Sequence, residues 1–170
     1  MTVIVETPRL LLRKFVVEDA PDIFRINSDP QVVRYAEGVT PSSVDETLGH
    51  LCSGPLADYA TYGYGRWAVV DRLTGRLVGM CGPKFLAGLG EIEIGYRLER
   101  TQWGLGLATE AALAARDHAH DVLGMDRLIA LIMEENAASL RVAEKLGMTC
   151  TGPLHYEGTD VLRYEIVFPD

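Results

Sequence analysis

The sequence is poor in cysteine and has no long apolar run. Its three cysteines, Cys52, Cys81 and Cys150, are far apart and form no CxxC pair. This spacing argues against a disulfide framework and against a thiolate zinc site, and it favours a reducing, cytoplasmic compartment. No apolar stretch approaches the roughly twenty residues that a membrane span requires, and residues 1–6 lack a basic segment and a cleavage site. We therefore expect neither a membrane protein nor a secreted one.

Positive charge is also scarce, because 16 Lys and Arg stand against 24 Asp and Glu, a net charge of −8. A nucleic-acid-binding protein needs a basic face, so no nucleic-acid partner is expected. The acidic balance is compatible with a cationic small molecule or a peptide amine, although solubility alone also explains it. His118 and His120 are two residues apart on a predicted helix and cannot share one ligand, so no metal site is expected.

The 170 residues, 48% of them hydrophobic and 24% charged, predict one globular domain over residues 1–170. Alternating and helical patterns predict the element order β-α-α-β-β-β-α-β-α-β-β. The strands are expected near residues 9–15, 67–71, 76–81, 91–98, 128–133, 148–151 and 161–168, and the helices near residues 18–27, 41–59, 107–123 and 136–146. This order predicts an α/β (α+β) domain with a mixed sheet flanked by helices.

A glycine-rich segment, Trp103-Gly104-Leu105-Gly106-Leu107-Ala108-Thr109, lies between a predicted strand and the longest predicted helix. Glycines at a helix entrance allow bare N–H groups to converge on an anion such as a pyrophosphate. A turn that only permits tight packing is the structural alternative. The Rossmann pattern requires Gly or Ala where Thr109 stands, and no Walker A lysine is present, so a nicotinamide-binding module is disfavoured.

The same segment, extended to Ala111, resembles the coenzyme-A-binding motif of GNAT acetyltransferases. The stretch from Glu135 to Met148 resembles the second motif of that family. Residues 6–13 (ETPRLLLR), 67–69 (WAV) and 93–96 (EIGY) resemble its ribosomal-protein-alanine N-acetyltransferase branch. The likeness implies a mostly antiparallel sheet of about six to seven strands, splayed between the fourth and fifth. It also implies acetyl-CoA as co-substrate and an amine acceptor.

The resemblance further assigns residues to the coenzyme. Backbone amides from Gly104 to Thr109 would hold the pyrophosphate, and Asn136 would hydrogen-bond the pantetheine arm. The backbone of Tyr96, Arg97 and Leu98 would pair with that arm as an added strand does. The residues expected to bind the coenzyme are Tyr96, Arg97, Leu98, Trp103, Gly104, Leu105, Gly106, Leu107, Ala108, Thr109, Asn136 and Ser139.

Two residues are catalytic candidates. Attack on a thioester needs a neutral amine, and the resemblance places the carboxylate that takes its proton on the strand of residues 91–98. Glu93 is preferred over Glu91 because it is nearer the splayed end, while a solvated pair of acids is the structural alternative. Ser139 would donate a hydrogen bond to the leaving thiolate, or would simply serve the first helical turn.

The sequence departs from the family pattern at two positions. Trp103 stands where an arginine or glutamine is usual, which removes a side-chain contact to phosphate. Ala143 stands where many members carry the tyrosine that protonates the leaving thiolate. The second departure motivates an alternative function, a non-catalytic sensor of acyl-coenzyme A. The acceptor is expected to be a peptide N-terminus or a small-molecule amine, and the protein to be a monomer or a homodimer.

Overall fold

Eight strands form one sheet in the computed structural model, which describes residues 1–36 and 39–169. The strands are β1 (Val3–Glu6), β2 (Leu10–Arg13), β3 (Trp67–Asp71), β4 (Leu77–Leu86), β5 (Glu91–Leu98), β6 (Arg127–Ile132), β7 (Thr149–Tyr156) and β8 (Thr159–Val167). The helices are α1 (Ala20–Asn27), α2 (Pro30–Val33), α3 (Val44–Leu51), α4 (Ala57–Tyr62), α5 (Leu107–Asp121) and α6 (Ala137–Lys145). Short 3₁₀ segments at Val17–Asp19 and Arg100–Gln102 and a π-helical turn at Cys52–Leu56 complete the helical structure.

The strand order across the sheet is β1-β2-β3-β4-β5-β6-β8-β7. Every neighbouring pair is antiparallel except β5 and β6, which are parallel. The predicted mixed, mostly antiparallel sheet flanked by helices is therefore confirmed. It has more strands than the expected six to seven, because the four residues of β1 pair with β2 across the turn at residues 7–9. So short a strand leaves little alternating pattern to read.

Two helical regions differ from the sequence prediction. A short helix not predicted from the sequence, α2, follows the first one: the Asp29 side chain accepts a hydrogen bond from the Gln31 N–H, and Pro30 occupies the first turn. The predicted helix over residues 41–59 is two helices, because the backbone of Gly54 leaves helical geometry and Pro55 follows it. The other glycine of this stretch, Gly49, lies within α3 and does not interrupt it.

The side chains of alternate strand residues divide the core between the two faces of the sheet. Trp67 and Val69 lie in a cluster with the alanines of α5 and the apolar residues of α6, whereas Ala68 lies in a second cluster with α1 and α3. The alanines of α5 at the sheet are Ala111, Ala112, Ala115 and Ala119, all fully buried. Small side chains allow close approach of a helix to a sheet, as their spacing predicted. Thus α5 and α6 cover one face, and α1 to α4 the other.

The parallel strands β5 and β6 share a single paired position, Glu93 with Ile129. Both strands run in the same direction from there, and the described residues form no further pairing between them up to Leu98 and Ile132. The sheet is therefore open at the C-terminal ends of these two strands. They are the fourth and fifth of the strands predicted from sequence, so the predicted splay is confirmed.

Candidate active site

An open cleft of about 1320 Å³ lies where β5 and β6 diverge. Its walls include the start of α5, the first turn of α6, the junction of α3 with α4, and the turn between β7 and β8. Glu93 lines this cleft. So do all the residues expected to bind the coenzyme except Leu105, whose side chain is exposed: Tyr96, Arg97, Leu98, Trp103, Gly104, Gly106, Leu107, Ala108, Thr109, Asn136 and Ser139.

The glycine segment forms a loop that leads directly into α5. Gly104 and Gly106 have φ values of +74° and +77°, in the left-handed region that favours glycine. Gly106 is the N-cap of α5, and no described side chain accepts a hydrogen bond from the first turn as a cap. The N–H groups of residues 107–109 have no carbonyl partner within the helix, and they carry its positive dipole end. This end of the cleft is therefore suited to an anion.

Trp103 fixes the beginning of this loop. Its indole Nε1–H donates to the Leu98 carbonyl over 3.0 Å, and its side chain is 47% exposed. The contact ties the loop to the last residue of β5. Trp103 has no charge for a phosphate, as the sequence indicated, but it anchors the loop instead.

The first turn of α6 brings two polar side chains to the cleft, those of Asn136 and Ser139. Asn136 is the N-cap, and its Oδ1 accepts from the Ser139 N–H over 3.2 Å, which leaves the Nδ2 donors of the same amide for other partners. Ser139 Oγ lies 3.0 Å from Tyr96 Oη on β5. Ala143, one turn further along α6, is buried and lines the cleft. A tyrosine hydroxyl thus reaches Ser139 from β5, not from α6.

Burial raises the pKa of Tyr96, with a smaller opposing effect from the hydrogen bond to Ser139. Tyr96 is therefore a neutral phenol at physiological pH and retains its hydroxyl hydrogen. The resemblance seen in the sequence implied a role only for the backbone of Tyr96. The alternating sequence of β5 places Tyr96 on the apolar face of the strand. A buried tyrosine hydroxyl needs a hydrogen-bond partner, so this pattern could have indicated a role for the side chain.

Glu93 is paired with a cation. Its carboxylate accepts a hydrogen bond from Arg66 Nη2, and both side chains are largely buried. Arg66 Nη1 also donates to the backbone carbonyls of Gly82 and Glu93. A Cβ atom at Gly95 would lie 2.5 Å from Arg66 Nη2, so the guanidinium occupies space that only glycine leaves free. Arg66 thereby fixes the position of the carboxylate; no motif in the sequence indicated its role.

Glu91, the alternative to Glu93, lies outside the cleft lining. Its carboxylate accepts from Arg163 Nη2 over 2.6 Å, and Arg127 Nη1 is 3.8 Å away. Of the two acids, only Glu93 faces the space where an amine and a thioester could meet.

The cleft lining contains another carboxyl group, that of Asp58 on α4. Burial raises its pKa, against the opposing effects of Lys84 and Arg66. Three tyrosines on α4 or shortly after it, Tyr59, Tyr62 and Tyr64, do not line the cleft as the structure describes it. Tyr59 is instead structural, because its hydroxyl donates to the Arg66 carbonyl and accepts from the Phe15 N–H.

Within the described residues, no cluster of three or more His, Cys, Asp and Glu side chains could hold a metal ion. No helix in the same residues is both long enough and apolar enough to cross a membrane.

Comparison with known proteins agrees with this geometry. Residues 9–149 match the family model of the acetyltransferase (GNAT) domain. The chain is 31% identical to the uncharacterized N-acetyltransferase YoaA of Bacillus subtilis over 173 residues, which cover 98% of this chain and 97% of the relative. The crystal structure of an acetyltransferase from Agrobacterium tumefaciens superposes with a TM-score of 0.82 at 28% identity, over 98% of this chain and 94% of that one.

The ribosomal L7/L12 acetyltransferase RimL, solved with coenzyme A, has the same fold, with a TM-score of 0.84 over 98% of both chains and 19% identity. The predicted family and the acetyl-CoA co-substrate are thus confirmed. The chain belongs to the GNAT family and is an acetyl-CoA-dependent N-acetyltransferase, which transfers an acetyl group to an amine.

Proposed function

We propose that this enzyme acetylates the primary amine of a peptide N-terminus or of a small molecule by direct transfer from acetyl-CoA. The observation that supports this most is the gap between β5 and β6. Ser139 and Tyr96 reach it from the face covered by α5 and α6, and Glu93 from the face covered by α1 to α4. A thioester and an amine can therefore meet through an opening in the sheet.

The coenzyme would occupy the half of the cleft at α5 and α6. The N–H groups of residues 107–109 would bind the pyrophosphate, and Asn136 Nδ2 would donate to the pantetheine arm. The open edge of β5 at Tyr96 and Arg97 would pair with that arm. Bound in this way, the coenzyme supplies the activated acetyl group.

Direct transfer is favoured because no cysteine is placed to carry the acetyl group. Cys81 is fully buried, and this burial raises the pKa of its thiol to about 12. Cys52 and Cys150 are exposed and do not belong to the described lining of the cleft. All three are free thiols, which suits the cytoplasmic location proposed for this enzyme.

Glu93 would take the proton that the acceptor amine loses. A lysine-like amine has a pKa of ~10.4, so most of it arrives protonated at neutral pH and needs an acceptor for that proton. Arg66 holds the carboxylate at the gap in a fixed orientation. Asp58, nearby on α4, adds a carboxyl group on the side from which the amine would enter.

Ser139 and Tyr96 would supply the proton to the leaving thiolate. Either hydroxyl can donate in the contact between Tyr96 and Ser139; with Tyr96 Oη–H as the donor, the Ser139 hydrogen would be left for the sulfur as the C–S bond breaks. A protonated amine loses two protons in becoming the amide: one goes through Glu93 to solvent when the neutral amine forms, and the second, released as the C–N bond forms, balances the proton that the sulfur gains as the C–S bond breaks. This pair takes the place of the tyrosine that is missing at Ala143, and it removes the reason for preferring a non-catalytic sensor.

The test is release of the coenzyme A thiol from acetyl-CoA in the presence of a panel of amines. The panel pairs each free peptide with its N-terminally blocked form, and adds small-molecule mono- and diamines. We expect thiol release that depends on a free amine, together with a mass gain of one acetyl group on that amine. Binding of acetyl-CoA without release for any amine would contradict the proposal and favour the sensor.

A further inference from the structure

The N-terminal segment Thr7-Pro8-Arg9 lies against the glycine loop, although about a hundred residues separate the two in sequence. Arg9 Nη1 donates to the Leu105 carbonyl over 2.8 Å, and Arg9 Nε donates to Glu110 Oε2 over 2.7 Å. The backbone N–H of Arg9 and the hydroxyl of Thr7 both donate to Glu110 Oε1, over 2.9 and 2.6 Å. A single arginine thus bridges the loop and the first turns of α5.

Glu110 is a fixed anchor for this arginine. Burial favours its neutral form, but the hydrogen bonds from Thr7 and Arg9 outweigh burial, so the pKa of Glu110 is lowered. Its side chain is 16% exposed, whereas that of Arg9 is 51% exposed. The carboxylate therefore binds Arg9 through Nε, while Nη1 of the same guanidinium is directed at the Leu105 carbonyl of the loop.

The contact with the Leu105 carbonyl has a consequence for the next N–H group. A trans peptide is planar, so the C=O of one residue and the N–H of the next point in opposite directions. The hydrogen bond from Arg9 to the Leu105 oxygen therefore fixes the direction of the Gly106 N–H, which points away from Arg9. Without that hydrogen bond, Gly106, which follows this peptide and has a left-handed φ, would allow the peptide to rotate.

We propose that Arg9, anchored by Glu110, is a positioning residue that holds the Leu105–Gly106 peptide so that the Gly106 N–H joins the anion-binding groups at the start of α5. Arg9 fills the space beside the loop, since its Nη2 lies 3.6 Å from the position of a Cβ on Gly106. Arg9, from the N-terminal segment, thereby supports the glycine loop, in which Trp103 has no charge to offer a phosphate. The inference rests on the proposed pyrophosphate site at residues 104–109.

The experiment compares Arg9→Ala with the unmodified enzyme, using acetyl-CoA and acetyl-pantetheine, which lacks the pyrophosphate. Dissociation constants are measured by calorimetry, so no acceptor is needed. We expect Arg9→Ala to weaken the binding of acetyl-CoA about 10-fold, which is the order of magnitude for the loss of one hydrogen bond to a charged group. The affinity for acetyl-pantetheine should stay within about twofold.

The matched control is Arg72→Ala. Arg72 donates to the Thr7 carbonyl and pairs with Glu6, so it holds the same N-terminal segment without contacting the loop. It should leave both affinities unchanged within about twofold. Arg9→Lys is the second variant, should Arg9→Ala fail to fold. Lysine keeps the charge but has no planar fork to donate to Glu110 and Leu105 together, so it should give a smaller loss of the same selectivity.

Three results would overturn the inference. Equal weakening of both ligands by the Arg9 variants would make Arg9 a general structural residue, and unchanged acetyl-CoA affinity would make the contact with Leu105 irrelevant. If the unmodified enzyme binds acetyl-CoA no better than acetyl-pantetheine, the pyrophosphate site itself is wrong. Only this last result refutes the proposed site together with the role of Arg9.

Discussion

The two proposed halves of the cleft, one for the coenzyme and one for the acceptor, differ in the groups that they present to a ligand. The coenzyme half presents mainly backbone: the glycine loop, the N–H groups at the start of α5 and the open edge of β5. The acceptor half presents charged side chains from separate elements: Arg66 before β3, Glu93 on β5 and Asp58 on α4. Backbone groups suit a ligand that every member of the family shares, whereas side chains can change with the acceptor.

The halves also lie on opposite faces of the sheet. Tyr96 and Ser139 belong to the face covered by α5 and α6, and Glu93 and Arg66 to the face covered by α1 to α4. A continuous sheet would keep such groups apart. The single pairing between β5 and β6 is therefore the feature that would allow them to act on one reaction, as proposed.

The largest effect should come from filling the backbone half. Gly106→Trp places a large side chain on a residue with φ +77° at the anion-binding end, so we expect acetyl-CoA affinity to fall at least about 100-fold. Calorimetry measures the loss, and the melting temperature reports folding. Gly75→Trp is the control, because Gly75 has φ +69° with open space around it, far from the loop in sequence. Wild-type affinity in Gly106→Trp would refute the assignment of the loop.

Removing the carboxylate of Glu93, the proposed base, tests the half of the cleft that presents charged side chains. Glu93→Gln should lower kcat about 100-fold at neutral pH, within the range for general base catalysis. The difference in kcat between Glu93→Gln and wild type should shrink as pH rises towards the amine pKa of ~10.4, because more of the amine then arrives neutral. Glu91→Gln, outside the described cleft lining, is the matched control and should leave kcat unchanged. An identical pH–rate profile for Glu93→Gln and wild type would assign the proton to another acceptor.

A smaller effect is expected at the thiolate. Tyr96→Phe keeps the ring and removes only the hydroxyl that contacts Ser139, so kcat should fall about 10-fold with the KM for acetyl-CoA unchanged. In a Ser139→Ala background the same change should cost almost nothing, because Tyr96 acts through Ser139. Tyr164→Phe, at a buried tyrosine outside the described cleft lining, is the control. Additive losses in the double variant would show that the two hydroxyls act independently.

The smallest effect concerns stability. The pKa of Glu110 is lowered in the folded protein, so its charged form stabilises folding above the ordinary glutamate pKa of ~4.3, and this contribution is lost as pH falls through the folded-state value. Glu110→Gln should therefore reduce the free energy of unfolding by about 1 kcal/mol at pH 7, and by less at pH 3. Denaturant titrations at both pH values measure the difference. A loss of unfolding free energy that is larger at pH 3 than at pH 7 would contradict this prediction.

The backbone half could largely be predicted from the sequence because its determinants are local. The local sequence determines the backbone conformation of the glycine loop and of the helix start at Asn136. The structure places both at one cleft. The splay followed from the resemblance to GNAT proteins, not from any pattern within the strands. The extra strand β1 was missed because four residues leave little periodicity.

The side-chain half could not be predicted in the same way. Arg66 lies in a loop with no motif, and its position over Gly95 depends on how β4 and β5 pair. Arg9 was part of a recognised motif, but its contact with Leu105 depends on packing across the whole chain. Such contacts between distant residues become visible only in the folded protein.

The central claim, that the cleft at the splay binds acetyl-CoA through the glycine loop, is tested most directly by a thermal-shift titration with acetyl-CoA, coenzyme A and NADH. A ligand that binds only the native state adds about 2.7 kcal/mol to its stability at a hundredfold excess over Kd. We predict that both coenzyme A species raise the melting temperature of the wild type but not of Gly106→Trp, and that NADH has no effect. An unchanged melting temperature with both coenzyme A species, or an equal rise in Gly106→Trp, would contradict the account.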